Sequence, residues 1–157
     1  MTSVQFDERL RAAGLRVTAP RLTALAVIGE QQHIDVETLA SAVRERLGTV
    51  SKQAVYDVVH VLTDAGLVRR VSPDGRGARY ELERWDNHHH HLLCSQCGEL
   101  IDVPCAVDHV PCLMPPDSTG LTIDTAEVIY HGLCPDCTLA ARDRNEISDS
   151  ESTKELR

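Results

Sequence analysis

The stretch HHHHLLCSQCGELID, residues 88–102, places four imidazoles, a Cys-x-x-Cys pair and a terminal carboxylate in one short segment. A second Cys-x-x-Cys pair, Cys134 and Cys137, follows later in the chain. Together with Cys94 and Cys97 it supplies four thiolates, the ligand set of a closed tetrahedral zinc site. Since the spacer is longer than that of a simple zinc ribbon, strands or a small domain must bring the pairs together. We therefore predict a structural zinc ion in the second half of the chain.

Two simpler interpretations of this stretch stay open. The cysteines could form a disulfide framework, and the histidines could lie in a solvated loop without a ligand role. The sequence has no recognisable signal peptide, which favours a reducing compartment and metal binding over disulfides. Once the thiols satisfy zinc, the imidazoles would suit a second ion such as iron, zinc or nickel.

The bulk composition predicts one or two small domains in a cytoplasmic protein. With 157 residues the chain can bury only a modest core, and aromatic residues make up 3% of it. The core must then be aliphatic, and bound metal should stabilise much of the second half. The apolar runs are far too short to cross a membrane.

The distribution of charge permits DNA binding although the net charge is −8. Residues 1–80 contain eleven Lys and Arg against nine Asp and Glu, whereas residues 81–157 contain five against fifteen. Such asymmetry predicts a mildly basic front half that could face phosphates and an acidic back half that could bind cations.

The front half predicts a winged helix-turn-helix, with an ordinary helical bundle and hairpin as the alternative. Apolar spacing predicts four helices before residue 66, of which Asp35 caps the third and Ser51 the fourth. The strands Leu67–Val71 and Ala78–Leu82 would then form the wing. The outward face of the fourth helix carries hydrogen-bonding side chains that suit the reading of base edges. These side chains include Ser51, Lys52, Gln53 and Tyr56.

The rest of the chain predicts a small α/β domain and a tail. Residues 83–92 read as a connection, and Glu99–Val103, Leu121–Ile123 and Glu127–Tyr130 read as strands. The predicted boundaries are 1–83 for the winged-helix domain, 84–140 for the metal-binding domain and 141–157 for a polar, disordered tail.

Six short motifs make the chain resemble the ferric uptake regulator family. They are Ala13-Gly14-Leu15-Arg16-Val17-Thr18-x-Pro20-Arg21, Ala54-Val55-Tyr56, Ala65-Gly66-Leu67-Val68, Arg79-Tyr80-Glu81-Leu82, His-x-His-x-x-Cys-x-x-Cys-Gly over His89 to Gly98, and Gly132-Leu133-Cys134-Pro135-x-Cys137. Their order and spacing extend to about residue 140, and the combination is specific although no single motif is.

The resemblance implies a homodimeric, metal-dependent DNA-binding repressor with an α+β fold, in which a winged-helix domain precedes an α/β dimerisation domain. It implies a regulatory Fe²⁺ or Mn²⁺ between the domains, besides the structural Zn²⁺ on the four cysteines. The implied regulatory ligands are His33, Glu81, His89, His91 and Asp102. A second regulatory site would use His88, His90, Asp108 and His109. The implied DNA contacts are Arg16, Lys52 and Tyr56.

Asp102 makes the chain similar to the peroxide-sensing branch of the family, in which aspartate occupies that position. The resemblance then implies that iron and H₂O₂ oxidise a ligand histidine, His33 or His89, so that the repressor leaves DNA and genes such as catalase are derepressed. Glu81 is instead a choice typical of iron sensors, so a repressor of iron, zinc or nickel availability is the alternative.

Two further features of the sequence bear on redox chemistry and on catalysis. Cys105 and Cys112 are additional to the zinc ligands, and they could form a redox pair or be ordinary thiols. A zinc-dependent enzyme is disfavoured, because the sequence lacks the His-Glu-x-x-His pattern and the deaminase pattern His-x-Glu with Pro-Cys-x-x-Cys. We therefore expect a regulator and no catalytic activity.

Overall fold

The computed structural model of the chain describes residues 2–73, 77–83, 89–105, 112, 120, 122 and 126–152. The chain divides into two compact units, Met1–Trp85 and Asp86–Arg157. Both contain helix and strand, which confirms the predicted α+β class. No helix in the described ranges combines the length and the apolar character needed to cross a membrane.

The first unit is a winged helix-turn-helix, as predicted. Its elements are α1 (Ser3–Ala12), α2 (Ala19–Glu30), β1 (Ile34–Asp35), α3 (Val36–Leu47), α4 (Lys52–Asp64), β2 (Val68–Val71) and β3 (Arg79–Leu82). The three strands form one sheet in the order β1-β3-β2, and both pairings are antiparallel. The short strand β1 was not predicted, and it extends the wing hairpin by one strand.

Local capping and aliphatic packing explain the helices of the first unit. The Asp35 carboxylate accepts a hydrogen bond from the Thr38 amide at 2.9 Å, and the Ser51 hydroxyl accepts one from the Ala54 amide at 3.1 Å. Leu10, Leu25 and other aliphatic side chains form one core with Phe6 as its buried aromatic residue. This matches the aliphatic core expected from the composition.

The second unit is built on a three-stranded sheet with β4 at its centre. Its elements are β4 (His89–Cys94), β5 (Leu100–Pro104), β6 (Ile129–Gly132) and α5 (Pro135–Ser152). Strand β4 pairs antiparallel with β5 and parallel with β6. The histidine run was predicted to be part of a connection over residues 83–92, and that prediction was wrong from His89 onward. Histidine has no strong strand preference, so long-range pairing decides its conformation.

The end of the chain also differs from the prediction. Helix α5 continues to Ser152, whereas a disordered tail was expected from residue 141. Asp136 in its first turn favours the helix N-terminus, and Leu139, Ala140, Ala141 and Arg142 are good helix formers. The predicted strand Leu121–Ile123 lies mostly outside the described residues.

The cap at Asp35 generates a prediction about stability and pH. Partial burial opposes ionisation of Asp35, but the hydrogen bonds from Thr38 hold the pKa of the carboxyl below its usual value. A lowered folded-state pKa means that the stabilisation is present above the unfolded-state pKa and is lost as pH falls through the folded-state value. We expect Asp35→Ala to lower the free energy of unfolding by about 0.5–2 kcal/mol at neutral pH.

The Asp35→Asn variant is the matched control, since asparagine also caps helices but does not titrate. Chemical unfolding followed by circular dichroism should show wild type losing stability relative to this variant on acidification. A stability difference between the two that is independent of pH would contradict the assignment.

Candidate metal centres and DNA-binding surface

The four predicted zinc ligands meet in one cluster in the second unit. The Sγ atoms of Cys94, Cys97, Cys134 and Cys137 all lie within 4.8 Å of one another. The Sγ atoms of Cys97 and Cys134 are 3.8 Å apart. Zn–S bonds of about 2.3 Å in a tetrahedron place sulfur atoms roughly 3.8 Å apart. The thiols therefore have the number, type and spacing that a structural zinc ion requires.

Two backbone turns position these thiols. Cys94 ends β4, and the chain then turns so that the Gly98 amide donates to the Cys94 carbonyl at 2.9 Å. Gly98 has φ of 76°, a left-handed conformation that glycine adopts without strain. On the other side, Cys134 immediately precedes α5, and its amide donates to the Cys94 sulfur at 3.3 Å.

The surroundings of the cluster give its thiols different pKa values. Backbone amides of Cys97 and Cys134 donate to the Cys94 sulfur, and these hydrogen bonds lower the pKa of that thiol to about 6. The adjacent Cys134 thiol raises the pKa of Cys137 to about 12. Zinc binding must therefore displace protons, and we expect affinity to fall in acid.

Three predicted regulatory ligands also come together in the second unit. Strand register places His91 directly opposite Asp102, and His89 lies two residues before His91 on the same face. The Nε2 atoms of His89 and His91 lie 3.7 Å and 3.9 Å from the Asp102 carboxylate. Ligand atoms about 2.1 Å from a shared ion are separated by roughly 3.0–3.4 Å, so a shift of a few tenths of an ångström would suffice.

The other two predicted regulatory ligands form a buried pair in the first unit. The Nε2 atom of His33 lies 2.9 Å from the carboxylate of Glu81, which is 2% exposed. His33 is also buried, although a lone loop histidine is usually a surface residue. Its φ is 61°, in the left-handed region that non-glycine residues seldom adopt. Such local strain is concentrated at functional sites.

Arg69 belongs to this pair, although it was not predicted there. Its guanidinium lies 2.5 Å from the Glu81 carboxylate, and the two residues are direct cross-strand partners. Knowledge of the register between β2 and β3 would have predicted this pair, since opposite charges on facing strand positions attract.

The alternative second site is only partly described. Three of its four expected ligands, His88, Asp108 and His109, lie outside the described residues. The fourth, His90, lies with Nε2 3.3 Å from the sulfur of Cys112.

The predicted DNA-contacting residues lie on the exposed surface of the first unit or close to it. Ser51, Lys52 and Gln53 at the start of α4 are exposed, as is Arg16, while Tyr56 is half-buried. Glu37 of α3 contacts both the Lys52 ammonium and the Tyr56 hydroxyl. These contacts raise the pKa of Lys52 and that of Tyr56. Lys52 therefore stays charged, but Glu37 neutralises part of that charge.

A winged helix-turn-helix unit, a four-thiol cluster and sets of imidazole and carboxylate ligands together define a metal-binding transcriptional regulator. Comparison with known proteins gives the family. Residues 12–110 match the Ferric uptake regulator family, and the chain belongs to it. It is therefore a metal-responsive, DNA-binding transcriptional regulator of a non-enzymatic family.

Individual relatives agree with this assignment. The chain is 51% identical over 146 residues to the transcriptional regulator FurA of Mycobacterium tuberculosis, covering 92% of this chain and 99% of that one. It is similar in structure to the Pseudomonas aeruginosa ferric uptake regulator with manganese, at 27% identity and a TM-score of 0.61, covering 83% and 98% of the two chains. The Campylobacter jejuni peroxide stress regulator is 18% identical, and the comparison covers 87% of this chain and 100% of that one with a TM-score of 0.61. This likeness shows a common fold alone.

The thiol cluster generates a prediction about metal content. We expect Cys97→Ser to lose about one zinc ion per chain and to destabilise the second unit, because the four cysteines form a closed site. Metal analysis by mass spectrometry and thermal unfolding measure the two effects. Gln96→Ala is the control, since Gln96 is exposed in the same turn and is not a ligand. Full retention of zinc in Cys97→Ser would refute this ligand set.

Proposed function

We propose that this regulator is a repressor whose regulatory metal is bound jointly by His33 and Glu81 of the first unit and His89, His91 and Asp102 of the second. The observation that carries the proposal is the buried His33–Glu81 pair. A carboxylate that is 2% exposed is costly to bury unless charged or hydrogen-bonding groups surround it. Arg69 is one such group, and a divalent cation bound by the His33 nitrogen and the Glu81 carboxylate would be another.

Ligand number supports a joint site. The first unit offers two of the predicted ligands and the second offers three, so neither provides the five or six that Fe²⁺ and Mn²⁺ commonly bind. Imidazole and carboxylate donors suit these ions, whereas the four thiols suit zinc. A metal that draws ligands from both units would restrain the angle between them. Metal affinity and DNA affinity would then be coupled thermodynamically.

We further propose that the signal is hydrogen peroxide. Asp102 at this position supports it, since the resemblance links aspartate there to the peroxide-sensing branch. Iron in the site would promote cleavage of the O–O bond of H₂O₂ beside the imidazoles, so that one oxygen atom adds to a ring carbon and the other leaves as water. His33 and His89 are the residues that would gain an oxygen atom, and an oxidised imidazole is a poorer ligand. The repressor would then leave DNA and derepress oxidative-stress genes such as that of catalase.

The DNA-bound form in this proposal is a homodimer in the cytoplasm. The second unit has exposed apolar side chains that a partner subunit could cover, with Leu139 58% exposed and Leu133 40% exposed. An apolar groove beside them is lined by Leu92, Ile101 and Val103. Two winged-helix units related by a two-fold axis would read two operator half-sites, with α4 in the major groove.

The second candidate function is repression governed by iron availability alone. Glu81 in place of aspartate supports it, as does the 45% identity over 154 residues to a protein of Mycolicibacterium fortuitum named Ferric uptake regulation protein 1. In this alternative the metal leaves reversibly and no residue is modified.

One experiment separates the two candidates. The purified protein would be loaded with Fe²⁺ or Mn²⁺ and treated with roughly stoichiometric H₂O₂, and DNA binding and peptide masses would be followed in parallel. We expect the iron form to lose DNA binding and to gain one oxygen atom on the peptide that contains His33 or His89. The manganese form should keep DNA binding, since Mn²⁺ does not support this reaction.

His60 provides an internal control, because it is exposed and is not a predicted ligand. Its peptide should stay unmodified. If the iron form keeps its mass and its DNA affinity follows metal concentration alone, the peroxide proposal is wrong and the iron-availability candidate stands.

A further inference from the structure

A separate cluster of metal-binding side chains lies in the second unit. A ring nitrogen of His90 and the sulfur atoms of Cys105 and Cys112 all lie within 4.8 Å of one another. None of these residues belongs to the four-thiol cluster. The cluster also differs from the second regulatory site expected from the resemblance, which contains no cysteine.

Strand pairing brings His90 and Cys105 together. His90 is opposite Val103 in the register of β4 and β5, so both side chains lie on one face of the sheet. Cys105 is two residues beyond Val103, which returns it to the same face. His89 and His91 lie on the other face, with Asp102. The four-histidine run is thus divided between two chemically different surroundings.

The spacing of the cluster is close to that of a metal site. The His90 Nε2 and the Cys112 sulfur are 3.3 Å apart. A tetrahedral zinc ion with Zn–N of about 2.1 Å and Zn–S of about 2.3 Å holds such atoms roughly 3.6 Å apart. An outward shift of a few tenths of an ångström would admit the ion.

Burial and charge indicate the chemical class of the ion. His90 is 5% exposed and Cys105 is 8% exposed, while Cys112 is half-buried. Two thiolates and a neutral imidazole neutralise Zn²⁺ fully, whereas with Cu⁺ they leave one negative charge. A buried site favours the neutral combination. The thiolates disfavour Mg²⁺ and Mn²⁺, which prefer oxygen ligands.

We propose that His90, Cys105 and Cys112 are protein ligands of a further zinc site. The site rests on thiols that neither the structural zinc nor the peroxide mechanism uses. If the additional zinc site is disproved, the proposed function therefore stands. If the proposed function is disproved, the additional zinc site likewise stands.

Thiol protection in the full-length protein tests the site directly. The reduced protein would be treated with a weak chelator that leaves zinc in the four-thiol cluster, and then titrated with Zn²⁺ against a chromophoric chelator. At each point the thiols would be alkylated and mapped by peptide mass spectrometry. We expect added zinc to protect Cys105 and Cys112 together. The regulatory ligands contain no thiol and cannot produce this signal.

Matched variants give the second readout. Cys112→Ser should bind about one zinc ion fewer than wild type while retaining the tightly bound ion. His90→Gln should weaken binding of the additional ion at least about tenfold, because loss of a direct ligand should cost no less than loss of an outer-shell partner. His131→Gln is the control, because His131 is an exposed histidine on the neighbouring strand β6.

Three results would overturn the proposal. The first is alkylation of Cys105 and Cys112 at the same rate with and without zinc in the folded wild-type protein. The second is protection that persists without zinc and disappears with reductant, since this indicates a disulfide. The third is protection by Cu⁺ but not by Zn²⁺ in a parallel anaerobic titration. The wild-type protection result decides the question even if a variant fails to fold.

Discussion

The antiparallel pairing of β4 with β5 is the constraint on which the metal chemistry of the second unit depends. Because side chains alternate along a strand, the register that sets His91 opposite Asp102 also sends His90 to the other face. The same strand ends at Cys94, the first ligand of the four-thiol cluster. If β4 slipped by one residue against β5, Asp102 would no longer lie opposite His91. It would then be on the opposite face from His89 and His91. One register therefore positions three sets of metal-binding side chains.

Ligand chemistry keeps these sets distinct. The four-thiol cluster is closed and soft, which suits a permanent zinc ion. The imidazoles facing Asp102 are a mixed, harder set that suits exchangeable Fe²⁺ or Mn²⁺. In the first unit, the imidazole of His33 and the carboxylate of Glu81 form a buried pair of ligand types that suit the same ions, and Arg69 contacts the same carboxylate. We consider that pair the strongest reason to expect a cation there.

Much of the fold followed from local sequence signals. The caps at Asp35 and Ser51, the apolar stripe of α4 and the two Cys-x-x-Cys pairs are short-range patterns, and the structure confirms the helices and brings the thiols together. Features that depend on long-range register were missed. A run of four identical histidines does not alternate between polar and apolar residues, so it gave no strand signal. The pairing of Arg69 with Glu81 could be predicted only from the register of the β2–β3 hairpin.

The same limit explains the unexpected cluster. Cys105 and Cys112 were recognised as additional thiols, but their proximity to His90 depends on which face of β4 each histidine occupies. The length of α5 was misjudged for another reason. A polar composition was taken as disorder, although alanine, leucine and arginine at its start have high helix propensity.

In the mechanism that we propose, one metal draws ligands from both units and so couples metal binding to DNA binding. The most direct test measures the affinity of Mn²⁺ with and without a DNA duplex selected by the manganese-loaded protein. Linkage requires DNA to raise the affinity for Mn²⁺ by the same factor by which Mn²⁺ raises the affinity for DNA, typically about 5–150-fold. We predict that DNA raises the Mn²⁺ affinity of the wild-type protein by a factor in this range. In Glu81→Gln and in Asp102→Asn, DNA should leave the Mn²⁺ affinity nearly unchanged. An affinity for Mn²⁺ that is unchanged by DNA in wild type would contradict the account.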